Sequence, residues 1–222
     1  TLIGLFGMPE NIITSSQLIE EGRGTPIHIT GVKLKHTAYT AEEFSRYGEY
    51  LDKLKVMLNA EGRNQIIADI ALQASQRKEG STLVLFTLIE HGFEIFKEIA
   101  SRKGLSVGED TPDLETMKAY GVYFMSGQSS AKDREATRHL MDEDPEAILV
   151  ANYALLSTGV NIKSLRYAIF ASPVKSGVVV AQSLGRGIRL NEGKQTFNVY
   201  DIVDVIGGSR MFASQYNQRK QK

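Results

Sequence analysis

Cysteine is absent from the 222 residues. Disulfides and thiolate metal sites are therefore excluded, and a reducing, cytoplasmic setting is the expectation. Long hydrophobic runs are missing too: none approaches the roughly 18–20 apolar residues of a membrane helix, and the N-terminus lacks the basic region and cleavage site of a signal peptide, so no membrane partner is expected. Charge of one sign is also lacking, with 26 Lys and Arg against 26 Asp and Glu. A dedicated electrostatic DNA binder is usually basic overall, so any nucleic-acid contact must come from a local patch or from backbone amides. The most telling absence is the phosphate-binding loop. No G-x-x-x-x-G-K-[ST] occurs, and in "NEGKQT" Gln195 stands where a hydroxyl must follow the lysine. "MDEDPE", with Asp142, Glu143 and Asp144, follows a helical stretch and holds a proline, which predicts a solvated turn rather than the strand-borne acidic box of an ATPase. His28, His36, His91 and His139 show no ligand spacing and no evident catalytic partner.

What is present is the composition of a globular domain, 42% hydrophobic and 23% charged. One domain, or one with an appendage, is expected. Thr1 to Pro9 opens without methionine, which suggests a fragment of a longer chain. Ile13–Gly22 reads as a short helix and "PIHITGVKLKH" as a strand. Thr40–Ala60 is helical, with Phe44, Tyr47, Leu51, Leu54 and Leu58 as a packing stripe; Gly62 interrupts, and Asn64–Gln76 follows with Ile66, Ile67, Ile70 and Leu72 turned inward. From Ser81 strand and helix alternate: "STLVLFT", Glu90–Arg102, "GVYFMSG", Ser130–Met141 and "AILVAN". That rhythm predicts an α/β fold, a parallel sheet with helices on both faces. "GEDTPDLE" reads as a surface insertion. "TFNVYDIVD" is the final strand; its Asp201 and Asp204 suit caps or arginine partners better than metal ligands. Ser209–Gln218 reads as a helix before a basic tail that touches DNA or frays.

Ala147–Leu190 organises the rest. After the strand "AILVAN" comes a polar loop with Ser157, Thr158, Gly159 and Asn161, then a second strand-like run, Tyr167–Ala171, then a helical stretch over 176–189. Gln182, Arg186 and Arg189 stand at i, i+4 and i+7 and share one face, opposite Val180, Leu184 and Ile188. Paired guanidiniums match two oxygens of a phosphate, and Gly185 leaves room for close approach. A solvated face with surface ion pairs is the plainer alternative for any arginine pair on a helix.

"STGVN", a strand, and then "QSLGRGIR" resemble motifs V and VI of superfamily 2 helicases, the latter written Q-x-x-G-R-x-x-R. The run from "NYALLSTGVN" to "GRGIRL" is similar to the UvsW-type phage recombination helicases, and the likeness extends from "GMPENIITSSQLIEEG" to "NVYDIVD". The resemblance implies a RecA-like C-terminal motor domain, host-cytoplasmic if phage-encoded. It implies residues 1–36 leading in from a first motor domain, a helical pair over 37–80 and the RecA-like domain over 81–222. It implies ATP and Mg²⁺ held mainly by an N-terminal P-loop domain of the same protein, without which this chain is inactive. Arg186 and Arg189 would be arginine fingers and Gln182 a γ-phosphate sensor, with Gly159, Asn161 and Gly185 near the nucleotide; Asn161 replaces an aspartate common there. Thr87, Ser126, Gly127, Asn152, Ser157 and Thr158 would grip DNA, single-stranded or branched. The function implied is ATP-dependent unwinding or translocation in recombination, branch migration or fork repair. Two alternatives stay open: a catalytically silent nucleic-acid-binding module, and a Rossmann-like mononucleotide-binding enzyme, for which "FTLIEHG" after the first strand of the alternation is poor in glycine.

Overall fold

The computed structural model describes residues 20–21, 25–157, 162–173, 196–207, 209 and 211, the side chains of 156 and 157 excepted. Six strands form one sheet: β1 (Ile27–Lys35), β2 (Thr82–Phe86), β3 (Val122–Met125), β4 (Ile148–Asn152), β5 (Tyr167–Phe170) and β6 (Phe197–Val205). Every pairing is parallel, in the order β1-β6-β5-β2-β4-β3. The predicted parallel α/β sheet is the observed one. Strands β2, β3 and β5 are buried along their whole lengths, as continuous apolar runs between two helical layers should be.

Seven helices lie among the described residues: α1 (Ala38–Arg46), α2 (Tyr50–Leu58), α3 (Arg63–Ser75), α4 (Ile89–Arg102), α5 (Leu114–Tyr120), α6 (Ala131–Glu143) and α7 (Tyr153–Ser157). Helices α3 and α4 pack on each other and on the central strands. The inward stripe of α3 is Arg63, Ile67, Ala71 and Ala74, whose small residues let the helix lie close. Helix α4 buries His91, Gly92, Ile95, Phe96, Ile99 and Ala100. Gly92 is required there, since a Cβ would stand 2.3 Å from the Phe86 ring. Helix α6 joins β3 back to β4, against the direction of the β2 to β3 step. For right-handed crossovers that places it on the sheet's other face, with Thr137 and Met141 buried.

Four expectations change. The single helix over 40–60 is two, because Tyr47 and Glu49, flanking Gly48, are both extended. The break resets the helical phase: Phe44, Leu54 and Leu58 form a small core with Met57 and Ile206, while Tyr47 and Leu51 are 41% and 59% exposed. The "GEDTPDLE" insertion holds the start of α5, with the Asp113 carboxylate accepting from the Thr116 N–H as N-cap. "MDEDPE" is no solvated turn. Asp142 Oδ1 accepts from the backbone N–H groups of Lys163 and Ser164 at 2.6 and 2.9 Å, its other oxygen meets Arg138, and Asp144 accepts from Glu146 N–H. Those carboxylates tie the amino ends of the strands together. In α3 Ile66 is 40% exposed, and Ala68, Ala71 and Ala74 take the inward places.

The expected helices over 13–22, 176–189 and 209–218 fall outside, or almost wholly outside, the described residues.

Candidate functional site

Parallel strands bring their carboxyl ends to one edge of the sheet, where ligands of open α/β sheets bind. The register sets which loops meet there. Phe86 stands opposite Asn152, and Leu85 opposite Phe170, so Thr87, Tyr153 and Ser172 come level just past the strand ends. The Asn152 amide donates from Nδ2 to the Thr87 carbonyl at 2.9 Å and accepts at Oδ1 from Ala154 N–H at 2.8 Å. It therefore caps α7 and joins β4 to β2 at once. Ser172, just past β5, accepts at Oγ from Thr87 N–H at 3.3 Å, and its carbonyl accepts from the Tyr153 hydroxyl at 3.3 Å. Thr87 is thus held through both backbone groups. Its own Oγ1 is buried with no hydrogen-bond partner among the described residues.

Beneath this joint lies a cluster of buried charge. Strand β6 outruns β5: Asp201 pairs with Phe170, the last residue of β5, while Asp204 is paired only with Leu34 of β1. Past the end of β5 the Asp204 carboxylate faces α3, whose first residue is Arg63. The two form a bidentate fork, Nε to Oδ1 and Nη2 to Oδ2, both at 2.9 Å. Neither side chain has any exposure. Arg63 Nη2 also donates to the Ala171 carbonyl at 2.8 Å and Nη1 lies 3.2 Å from His91 Nε2, while His36 Nε2 meets Asp204 Oδ1 at 2.8 Å. His91 Nδ1 in turn lies 3.4 Å from Ser172 Oγ. One network therefore links the carboxyl ends of β1, β6, β5 and β2.

The electrostatics follow from that geometry. Burial pushes the Asp204 carboxyl up, but the Arg63 charge and the hydrogen bonds from His36 and Arg63 outweigh it and hold the group below its ordinary range. His91 goes the other way for an imidazole: burial first, and Arg63 second, lower it to about 3, with Asp204 opposing. Around neutrality it is uncharged. In the unfolded chain a histidine titrates near ~6.5, so between there and about 3 the unfolded state binds a proton that the folded state refuses. Stability contributed by this group is complete above ~6.5 and falls with pH below it, by up to about 1.4 kcal/mol per unit. Asp204 adds a loss of the same sign below ~3.9. Urea unfolding at pH 7, 5.5 and 4.5 is expected to show this decline, and His91→Gln should flatten it between 6.5 and 4.5. An unchanged slope in that variant would assign the acid lability elsewhere.

Of the residues picked out in the sequence, Thr87 and Asn152 are brought into direct contact. Ser126 and Gly127 form a separate turn. Ser126 Oγ accepts from Gln128 N–H, its N–H donates to Ser129 Oγ, and Gly127 is exposed. The turn borders a cleft of about 480 Å³ that includes Asp113 and Asp133, carboxylates that would repel a phosphate. Ser157 ends α7. Thr158, Gly159, Asn161, Gln182, Gly185, Arg186 and Arg189 lie outside the described residues.

The sequence reading left His36 and His91 without partners and passed over Arg63; the structure joins His36 and Arg63 to Asp204 directly and His91 to it through Arg63, and Asp204 fulfils its expected role as an arginine partner. The signal available was Arg63 itself. It stands four residues before Ile67, at the head of an inward stripe, and an arginine so placed is buried only if paired.

No family model matches the chain. In sequence it is 28% identical over 208 residues, 92% of its length, to the ATP-dependent DNA helicase uvsW of Enterobacteria phage T4. It spans 37% of that protein. The crystal structure of T4 UvsW superposes over 89% of the chain with a TM-score of 0.65 and 24% identity, using 39% of the solved chain. The Sulfolobus solfataricus SWI2/SNF2 ATPase core in complex with dsDNA matches 80% of the chain at TM-score 0.55 and 13% identity, 41% of that structure being covered. The isolated C-terminal domain of the Sulfolobus ATPase matches 80% of the chain and 79% of its own length, with a TM-score of 0.50 and 12% identity. The chain thus has the RecA-like fold of a helicase C-terminal domain, and along nearly all its length its sequence resembles a superfamily 2 helicase of the UvsW type.

Proposed function

We propose that this chain is the second motor domain of an ATP-dependent DNA helicase or translocase that acts in recombination, branch migration or fork repair. The observation that carries the reading is the likeness to a phage DNA helicase along 92% of the chain. The reading is supported by the backbone groups and small polar side chains that converge where β2, β4 and β5 end, a kind of surface that can meet phosphates without any net positive charge. Thr87 and Asn152, with Ser157 and Thr158, contact the phosphates of one DNA strand there. Ser126 and Gly127, in their own turn beside Asp113 and Asp133, are the weaker members of the set.

An N-terminal P-loop domain of the same protein binds ATP and Mg²⁺, which supply the phosphoryl-transfer chemistry when bound. This domain closes over the nucleotide with Gly159, Asn161 and Gly185 near it and Gln182 reading the γ-phosphate. Arg186 and Arg189 offset the charge that develops in the transition state. Closure and reopening change the spacing between the two domains' grips on the strand, and the motor steps.

DNA-stimulated ATP hydrolysis tests the reading. The chain alone is expected to be silent, and joined to its P-loop domain to turn over ATP in response to DNA. Turnover by the chain alone, or DNA binding indifferent to ATP in the joined protein, would overturn it, the second result favouring a silent nucleic-acid-binding module.

A further inference from the structure

We infer that Arg63 is a positioning residue: through His91 and Ser172 it fixes the peptide of Thr87, and so sets how tightly this edge of the sheet holds a nucleic-acid backbone. The inference rests on the DNA reading of Thr87 given above.

Arg63 cannot meet a ligand itself, since its side chain has no exposure. Its guanidinium is committed to Asp204, the Ala171 carbonyl and His91. His91 Nε2 lies 3.2 Å from Arg63 Nη1, which only donates, and 3.1 Å from Asn64 Oδ1; with Nε2 accepting from the guanidinium, the one proton of the neutral ring is on Nδ1, which faces Ser172 Oγ at 3.4 Å. Ser172 Oγ then accepts from Thr87 N–H at 3.3 Å. The contacts run from Arg63 through His91 to Ser172, whose Oγ accepts from His91 on one side and from the Thr87 N–H on the other. On the far side the Asn152 amide holds the Thr87 carbonyl.

Thr87 is gripped through both its backbone groups, so the loop after β2 has a fixed place at this edge of the sheet. Arg63 also grips β5 at the Ala171 carbonyl and β6 at Asp204. A change at the guanidinium consequently moves the loops after β2 and β5 relative to one another.

The test is a coupling measurement on the full-length protein, with a fluorescein-labelled single-stranded oligonucleotide as probe. Arg63→Lys keeps a charge for Asp204 but has no planar fork. Ser172→Ala leaves the ion pair intact and removes only the last link. Each is expected to raise the oligonucleotide Kd about fivefold, the worth of one hydrogen bond. In a Thr87→Val background each effect should shrink below about twofold, because groups acting through one another are not additive. A general weakening of the fold would instead persist in full. Wild-type binding with an unchanged Kd in Ser172→Ala and Arg63→Lys, or equal effects with and without Thr87, overturns the positioning role while leaving the DNA reading intact. Failure of the wild-type protein to bind the oligonucleotide overturns the DNA reading, and this inference with it.

Discussion

Replacing Arg189 by alanine in the full-length protein is expected to lower DNA-stimulated ATP hydrolysis by about 10³-fold or more, while ATP binding is largely retained. The magnitude is that of an arginine finger, about 10³ to 10⁵ in rate. Its origin is differential: as the γ-phosphoryl group is transferred, charge spreads over its oxygens, and a guanidinium fixed against them is worth most at that instant. On the proposed reading ground-state affinity would come mainly from the P-loop domain, so a nucleotide-binding titration should move little. Arg186→Ala should behave alike, and Arg189→Lys should recover only part of the loss, because lysine offers a point charge where a planar fork is needed. Two measurements decide the matter, a steady-state ATPase assay with saturating DNA and a binding titration with a fluorescent ATP analogue. Lost binding with normal turnover of what still binds would remove Arg189 from this role.

Asp204→Ala is the second large effect, and it falls on stability. Taking one partner from a buried ion pair strands the other, at a cost of about 3–5 kcal/mol. Here the stranded group is Arg63, which has no exposure and whose neighbours His91 and Ala171 carry no charge to replace the carboxylate. For a chain of this size the midpoint of thermal unfolding should fall by roughly 10 °C. Arg63→Met combined with Asp204→Leu removes both charges and should lose much less than either single replacement, leaving chiefly the unmet Ala171 carbonyl. Denaturant unfolding of the two singles and the double closes the cycle. A loss under about 1 kcal/mol in Asp204→Ala would mean that water reaches Arg63.

The contrast between fold and site shows what a sequence carries. Strands β2, β4 and β5 were legible because each is an unbroken apolar run between turn residues, the mark of a strand covered on both faces. Their order along the chain then placed Thr87 and Asn152 at one edge. The split of α1 from α2 was hidden, since a single glycine between two amphipathic segments costs a helix only about 1 kcal/mol and does not by itself mark an end. Helix α5 was obscured by the turn-like residues at its start. The charged network as a set of contacts had no local signature. Arg63 and Asp204 lie 141 residues apart, His36 and Asp204 168 apart, and no periodicity links positions at such separations. Only two cues pointed inward: an aspartate at the end of the last strand and an arginine heading an apolar stripe.

The place of β1 bears on how the protein is made. Among the described residues its only strand partner is β6, and the contact that ends their pairing joins residues 168 apart. At about 5–20 residues per second of synthesis, the first strand of the sheet waits roughly 10–30 s for its neighbour while β2, β3, β4 and β5 can already assemble. During that interval β1 is an unpaired strand bearing the apolar Ile27, Ile29 and Val32, with Lys33 and Lys35 as its defence against pairing with another chain. In the folded domain β1 remains at the edge of the described sheet, so the same two lysines go on blunting that edge after assembly.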